Sequence, residues 1–271
     1  MMIERERVKE VFKKYTDAYD ISDEKIKLKI YHTYRVADLC EQIAKSENLS
    51  ESEVALAWLL GMLHDLGRFE QQRQYGTFSD ADSVDHAALG ADILFGKNGR
   101  TMIREFVSED SEDTLIETAV RVHSAYRIPT DLDARTERFC HILRDADKID
   151  ILKVNVEEPL DKIYNTTIEK LTTSTVTEEV LQSFFEHHAV LRSLKRTPVD
   201  HVVGHCSLVF ELVFPESFRI VKEQGYLEKL LHFETKNPKT KEQFALLRAD
   251  MEKYLVNCEN VFYNKTNNLS K

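Results

Sequence analysis

The 271-residue chain has only eight glycines and five prolines, about 5% together where soluble domains average about 12%. A β-sandwich or barrel needs a turn at about every 8–12 residues, so this scarcity disfavours both. Cysteine is scarce too. Cys40, Cys140, Cys206 and Cys258 stand far apart with no C-x-x-C pair, which suits a reducing compartment and argues against a disulfide framework or a zinc ribbon. Positive charge is also short: 37 Lys+Arg face 47 Asp+Glu, a net charge of −10. That balance argues against a nucleic-acid binder, which needs a basic face to neutralise the phosphate backbone. No apolar run is long. The most apolar one, residues 54–63, falls well short of the roughly 20 residues that span a bilayer. Residues 1–7 are charged from the fourth position and lack the apolar stretch of a signal peptide. The expectation is a soluble, cytoplasmic protein with neither a nucleic-acid nor a membrane partner.

What the sequence does have is helical periodicity. Ile26, Ile30, Val36, Leu39, Cys40 and Ile43 recur at spacings of three and four, which predicts an amphipathic helix over 23–47. Ser50-Glu51-Ser52-Glu53 reads as a capping box, and the run Val54-Ala55-Leu56-Ala57-Trp58-Leu59-Leu60 behind it is apolar nearly all round, the mark of a central buried helix. Gly67 offers a positive-φ position to end that helix, with His64 and Asp65 in its last turn. Residues 66–84 show no sustained period and read as a long functional loop. Further helices are expected over 85–96, 112–126, 135–155 and 177–196. Thr197-Pro198 and Asn237-Pro238 each pair an N-cap with Pro at the first helical position, opening helices over 198–213 and 238–262. There is no repeat and no low-complexity linker. The fold class expected is all-α: one helical domain spanning 1–271, with a core at 23–155 and a C-terminal extension at 156–271.

Three groups of residues could carry chemistry. His64 and Asp65 end a helix that is otherwise almost wholly apolar. An unpaired carboxylate buried there costs several kcal/mol, about the penalty for an isolated ion, so Asp65 needs a cation, a metal or solvent. Adjacent helical residues point about 100° apart, so both reach one ion only at a helix end. Asp147 lies between Leu143 and Ile151, on or beside the buried face of its helix, in Asp145-Ala146-Asp147-Lys148-Ile149-Asp150. His32 has Arg35 three residues on, on the same side. Taken singly, each has a plainer explanation: an exposed helix-end pair, a salt-bridged face, a satisfied core histidine.

Taken together, His32, His64-Asp65 and Asp147 follow the order H…HD…D and resemble the HD superfamily of metal-dependent phosphohydrolases, which fold around about five helices. His32-Thr33-Tyr34-Arg35-Val36 is similar to the family's H-x-x-R-V. Gly61-Met62-Leu63-His64-Asp65-Leu66-Gly67-Arg68 is similar to its apolar-L-H-D-I/L-G-K/R, and residues 145–150 to its D-A-D-K/R-L/I-D. The resemblance covers about 23–155. It implies one or two divalent metal ions held by His32, His64, Asp65 and Asp147. Branches of the superfamily that bind two ions carry further histidines between the HD pair and the last Asp, and His86 and His123 lie in that interval. One arrangement has Asp65 bridging two ions about 3.5–4 Å apart with His86 and His123 on the second. The other makes His86 a helix-start residue and His123 a hydrogen-bond partner.

Mixed imidazole and carboxylate ligands suit Mn, Fe, Co, Ni or Zn better than a magnesium site built of oxygens alone. An acidic protein needs local cations to hold an anionic substrate. Arg35, Arg68 and Lys148 stand beside the ligand positions, and Asp65, Arg68 and Lys148 are the expected catalytic groups, with Arg35 and Arg68 on the substrate. The expected substrate is a small phosphorylated molecule, in the nucleotide class or near it. Residues 66–84 would form its lid. Arg68 and Phe69 stand where guanosine-tetraphosphate hydrolases of the superfamily place two acids, and no G-Y-P motif of the cyclic-dinucleotide phosphodiesterases occurs. Two alternatives remain: a di-iron oxygenase, which shares the H…HD…H…H…D order, and a metal-stabilised regulatory module. His201 and His205 have the i, i+4 spacing of a zinc helix but lack the catalytic Glu, so they are read as structural, as are His141, His187 and His188. Residues 156–271 match no motif and are left for specificity or an oligomer contact.

Overall fold

The computed structural model describes residues 2–96 and 101–269, with side chains as far as 261. Among these there is no strand, and the all-α class holds. The chain divides into two compact units, Met1–Asp147 and Lys148–Lys271; the absence of a repeat or low-complexity linker in the sequence predicts one domain with a core ending near 155.

In the first unit the elements run α1 (Arg5–Thr16), α2 (Glu24–Ser46), α3 (Glu51–Leu63), α4 (Leu66–Tyr75), a 3-10 turn at Asp80–Asp82, α5 (His86–Phe95), α6 (Ile103–Phe106) and α7 (Asp113–Val122). Helix α8 (Ala134–Glu157) begins in this unit and runs on past Asp147. The capping box at Ser50 and Glu53 opens α3 as expected; such a cap is worth about 1 kcal/mol. Leu59, Leu60, Met62 and Leu63 are wholly buried, and each buried side chain of this size contributes about 1.5–3 kcal/mol. Helix α3 lies directly on α2. A Cβ at Gly61 would stand 2.4 Å from the Ala37 Cα, so only glycine permits the approach.

Two expectations are corrected here, and one helix was missed. Residues 66–84 are not one loop: their first ten residues are α4, which buries Leu66, Gly67, Phe69 and Gln71. A glycine and a glutamine on the inner face hide the helical period from an apolar count. Gly67 has no positive φ and sits inside α4. The corner is made by His64, still helical, followed by Asp65 at φ −105° and ψ 14°. Gly67 is needed for packing instead, because a Cβ there would lie 2.1 Å from the His86 carbonyl oxygen on α5. Last, α1 was not singled out, yet it buries Val8, Phe12 and Thr16. Its Tyr15 hydroxyl donates to the Leu66 carbonyl at 3.0 Å, tying it to the start of α4.

The second unit continues with α9 (Leu160–Ile163), α10 (Ile168–Thr173), α11 (Glu178–Phe185), a 3-10 turn at Arg192–Leu194, α12 (Pro198–Cys206), a 3-10 turn at Ser207–Glu211, α13 (Pro215–Gln224), α14 (Tyr226–Leu231) and α15 (Pro238–Leu269). The helix expected over 177–196 ends at Phe185, and His187 turns to φ +57°. The helix expected to 213 stops at Cys206 and tightens into the 3-10 turn. Thr197 and Asp200 form a capping box with Pro198 at the first helical position. The buried Asp200 carboxylate also accepts from the Thr177 and Arg196 backbone N–H groups, both at 2.8 Å. Among the described residues, no helix is long and apolar enough to cross a membrane.

Candidate metal centre

The corner between α3 and α4 aims His64 and Asp65 into one buried space; their relative exposures are 0% and 2%. From α2, His32 Nε2 comes within 3.3 Å of His64 Nε2. From α8, Asp147 Oδ1 stands 3.2 Å from His32 Nε2 and 3.8 Å from His64 Nε2. Asp65 Oδ2 faces this group, 3.5 Å from each imidazole. The other Asp65 oxygen faces a second pair. Oδ1 lies 3.4 Å from His86 Nε2, at the start of α5, and 3.7 Å from His123 Nε2, at the end of α7. Those two nitrogens are 3.1 Å apart. Asp65 thus offers one oxygen to each of two imidazole pairs, and all six residues expected as ligands meet at one place.

The donor atoms are set by what lies behind them. His64 Nδ1 is 2.7 Å from the Gly61 carbonyl, and His123 Nδ1 is 2.7 Å from the Val120 carbonyl. In both cases the ring proton sits on Nδ1, donated to a carbonyl of its own helix end, and the Nε2 lone pair faces the centre. His86 is held differently. Its Nδ1 lies 2.9 and 3.0 Å from the two Asp80 oxygens, the carboxylate–histidine arrangement that raises the donor strength of a ligand. Arg144 donates to the carbonyls of Val122, His123 and Ala125. It pins the end of α7 where His123 emerges.

Ionisation follows from the same contacts. Burial opposes charge on Asp65, yet Lys29, His64 and His123 hold its carboxyl well below the usual range. Burial likewise opposes charge on Asp147, and His32 and His64 hold it low. Burial pushes His64 down, and burial with the Arg68 charge brings His86 down to about 4. At neutral pH the carboxylates are therefore charged, and these two imidazoles are neutral. Carboxylate oxygens with neutral imidazole nitrogens are the donor set that divalent transition metals take. His32, His64 and Asp147 have ligand atoms within 4.8 Å of one another, as do His64, Asp65 and His123. Asp80, Asp85 and His86 also group, but Asp85 caps α5 by accepting from the Ala87 and Ala88 N–H groups.

The basic residues divide. Arg68 is enclosed. Its Nη1 donates to Gln71 Oε1, the Phe78 carbonyl and Asp80 Oδ1, and its Nε stands 3.7 Å from Asp65 Oδ1, buried without a hydrogen-bond partner. It links the Asp80 loop to the centre. Arg35 is half-buried on α2, one turn beyond His32. Lys148 is buried on α8 immediately after Asp147, as the first residue of the second unit. Two participants were missed by sequence reasoning. Lys29 Nζ donates to Asp65 Oδ2 at 2.7 Å; the signal was its place three residues before His32 on the same face. Asp80 carries no such signal, because only the folded loop brings it to His86.

No curated protein and no solved structure matches the chain. A family model does match, that of the HD domain, over residues 30–153, a stretch that takes in His32, His64, Asp65, His86, His123 and Asp147. Residues 30–153 are therefore read as an HD domain, the all-α fold of a superfamily of metal-dependent hydrolases.

Proposed function

We propose that the chain is a phosphohydrolase working with two divalent ions on a small phosphorylated substrate. The observation that carries this reading is Asp65, whose two oxygens serve separate imidazole pairs. His32, His64 and Asp147 would hold one ion, His86 and His123 the other, with Asp65 shared. Bound there, such ions would activate water near neutral pH and act as Lewis acids toward a phosphoryl group. Manganese, iron, cobalt, nickel and zinc all suit these donors.

The chain's own groups do the rest. Lys29, 17% exposed at its side chain, sets an ammonium at the edge of the centre, where it offsets phosphate charge. Arg35 on α2 and Lys148 beside Asp147 add cationic charge in this reading. Arg68 and Asp80 keep His86 in its direction. With α4 folded as a helix, the lid narrows to the loop between Tyr75 and His86.

The test is a panel of phosphate esters, nucleotides included, assayed with each metal for phosphate release, on wild type and on Asp147→Asn. Release that depends on added metal and disappears in the variant supports the reading. Oxygen uptake by the iron-loaded chain with no phosphate release would assign it to the oxygenase class instead, whose ligand order is the same.

A further inference from the structure

The second unit holds a cluster of opposite character. His201, Gly204 and His205 share one face of α12, at i, i+3 and i+4. The Lys195 side chain lies across this face: a Cβ at Gly204 would stand 2.4 Å from its Cε and 2.5 Å from its Nζ. Glycine makes the room for the ammonium. Tyr164 completes the group, its ring 5.7 Å from His205 and 6.5 Å from His201. The Tyr164 hydroxyl is 3.3 Å from His205 Nδ1. Burial pushes the phenol's ionisation up, so the phenol keeps its proton; with that hydroxyl as donor to Nδ1, the His205 ring hydrogen lies on Nε2.

What this cluster lacks is a counter-charge. Among the described residues, the side chains of Lys195 and His201 make no hydrogen bond and no ion pair. The carboxylate acting on them, Asp200, is occupied by backbone N–H groups of Thr177, Arg196 and Thr197 and by the Thr177 hydroxyl. Arg192 adds a further positive charge to the surroundings of Lys195 and His205. Crowded positive charge is costly to keep in a partly buried place. Burial and Arg192 bring the lysine down to about 8, so it still bears its charge at neutral pH. This face offers one ammonium and two imidazoles, each ring with one N–H to donate. A metal finds no carboxylate here, whereas an anion finds both charge and hydrogen bonds.

We propose that Lys195, His201 and His205, supported by Tyr164, form a binding site for a phosphate-class anion on the second unit. Lys195 supplies the charge and the two imidazoles supply directed N–H donors. The source is inorganic phosphate or the phosphoryl group of a small ester, and the two share this chemistry. The proposal stands apart from the hydrolytic reading, because it requires binding and not turnover.

The test uses the full chain, freed of metal with EDTA so that the centre of the first unit holds no ions to attract phosphate. Calorimetric titration at pH 7 is run with inorganic phosphate and, in parallel, with glycerol phosphate. About one site per chain is expected, weakened at least tenfold in Lys195→Met and in His205→Gln. Arg196→Met removes a positive charge already paired with Glu179 and should leave the affinity unchanged. His201 is exposed, so His201→Gln keeps the fold and gives a second reading, about fivefold weaker, should the other variants misfold. Tighter binding of the ester assigns the site to a substrate's phosphoryl group; tighter binding of inorganic phosphate assigns it to a product or effector. Absence of binding of either ligand by wild type, or equal affinity in wild type and His201→Gln, overturns the proposal.

Discussion

The two units treat buried charge in opposite ways. In the first, His32, His64, His86 and His123 each stand within 4 Å of a carboxylate oxygen, and Lys29 pairs with that same Asp65. In the second, Lys195, His201 and His205 gather around Gly204 while Asp200 is turned to backbone donors. A cluster rich in carboxylate and neutral imidazole is poised for a cation; one rich in ammonium and N–H is poised for an anion. The difference is legible in the partners of the histidines, not in their number. A histidine count along the chain cannot tell the two apart.

The contrast breaks most sharply at Asp65. In Asp65→Ala both imidazole pairs lose their shared oxygen, so metal per chain should fall from about two to near zero and metal-dependent turnover by several orders of magnitude. Elemental analysis after gel filtration reads the first result; unchanged metal content would remove Asp65 from the ligand set. His86→Ala/His123→Ala should be more selective. One ion per chain remains on His32, His64, Asp65 and Asp147, the fold persists, and turnover still falls by orders of magnitude. A wild-type value of one ion, unaltered by the double replacement, would leave a single-ion site.

Asp80→Asn should act more gently and on one side only. His86 loses its anionic partner, and changes behind a ligand of this kind weaken metal affinity by about 10–100-fold. A competition titration against a chelator should show one weakened ion and one unchanged ion. Equal weakening of both would mean that the two imidazole pairs do not act separately.

The smallest effect belongs to the second unit and is read in stability. The unfolded chain holds the Lys195 proton up to the usual 10.5, while burial and Arg192 bring the folded value to about 8. Between these values the unfolded state binds more protons, so stability from this group rises with pH across 8–10.5 and its cost is greatest below 8. Lys195→Met should therefore be more stable than wild type at pH 7, with the gap closing by pH 10.5. Urea midpoints at the two pH values give the answer, and a gap independent of pH would rule out a buried, charged lysine.

Much of the centre could be read from the chain. The order of His32, His64-Asp65 and Asp147 survives in sequence because each ligand must sit on an inward helix face or at a helix end, and both leave a local pattern. Capping chemistry at Ser50 and Thr197 is local too, and both boxes are present. What escaped was set by long-range contact. Helix α4 hides its period because its inner face is Leu66, Gly67, Phe69 and Gln71, and the Gln71 amide nitrogen donates to Asp80, Ser83 and Val84 across the following turn. Asp80 and Arg144 act on atoms that no spacing rule connects to them. Lys195 was not singled out, because nothing local announces that Gly204 lies beneath it.

The seat of α5 on α4 has a mechanical consequence. Gly67 and Gly90 face one another, and a Cβ on Gly67 would come within 2.6 Å of the Gly90 nitrogen as well as striking the His86 carbonyl. At this point the bearing surface between the two helices is main chain against main chain. Gly67 follows Asp65 by two residues, and the carbonyl it rests against belongs to His86 itself. The gauge of the centre, from the HD corner to the first histidine of the second pair, is therefore machined into the backbone. Core side chains can drift over evolutionary time by a methylene here or there while that gauge holds its tolerance; a single methyl group on Gly67 would not be absorbed.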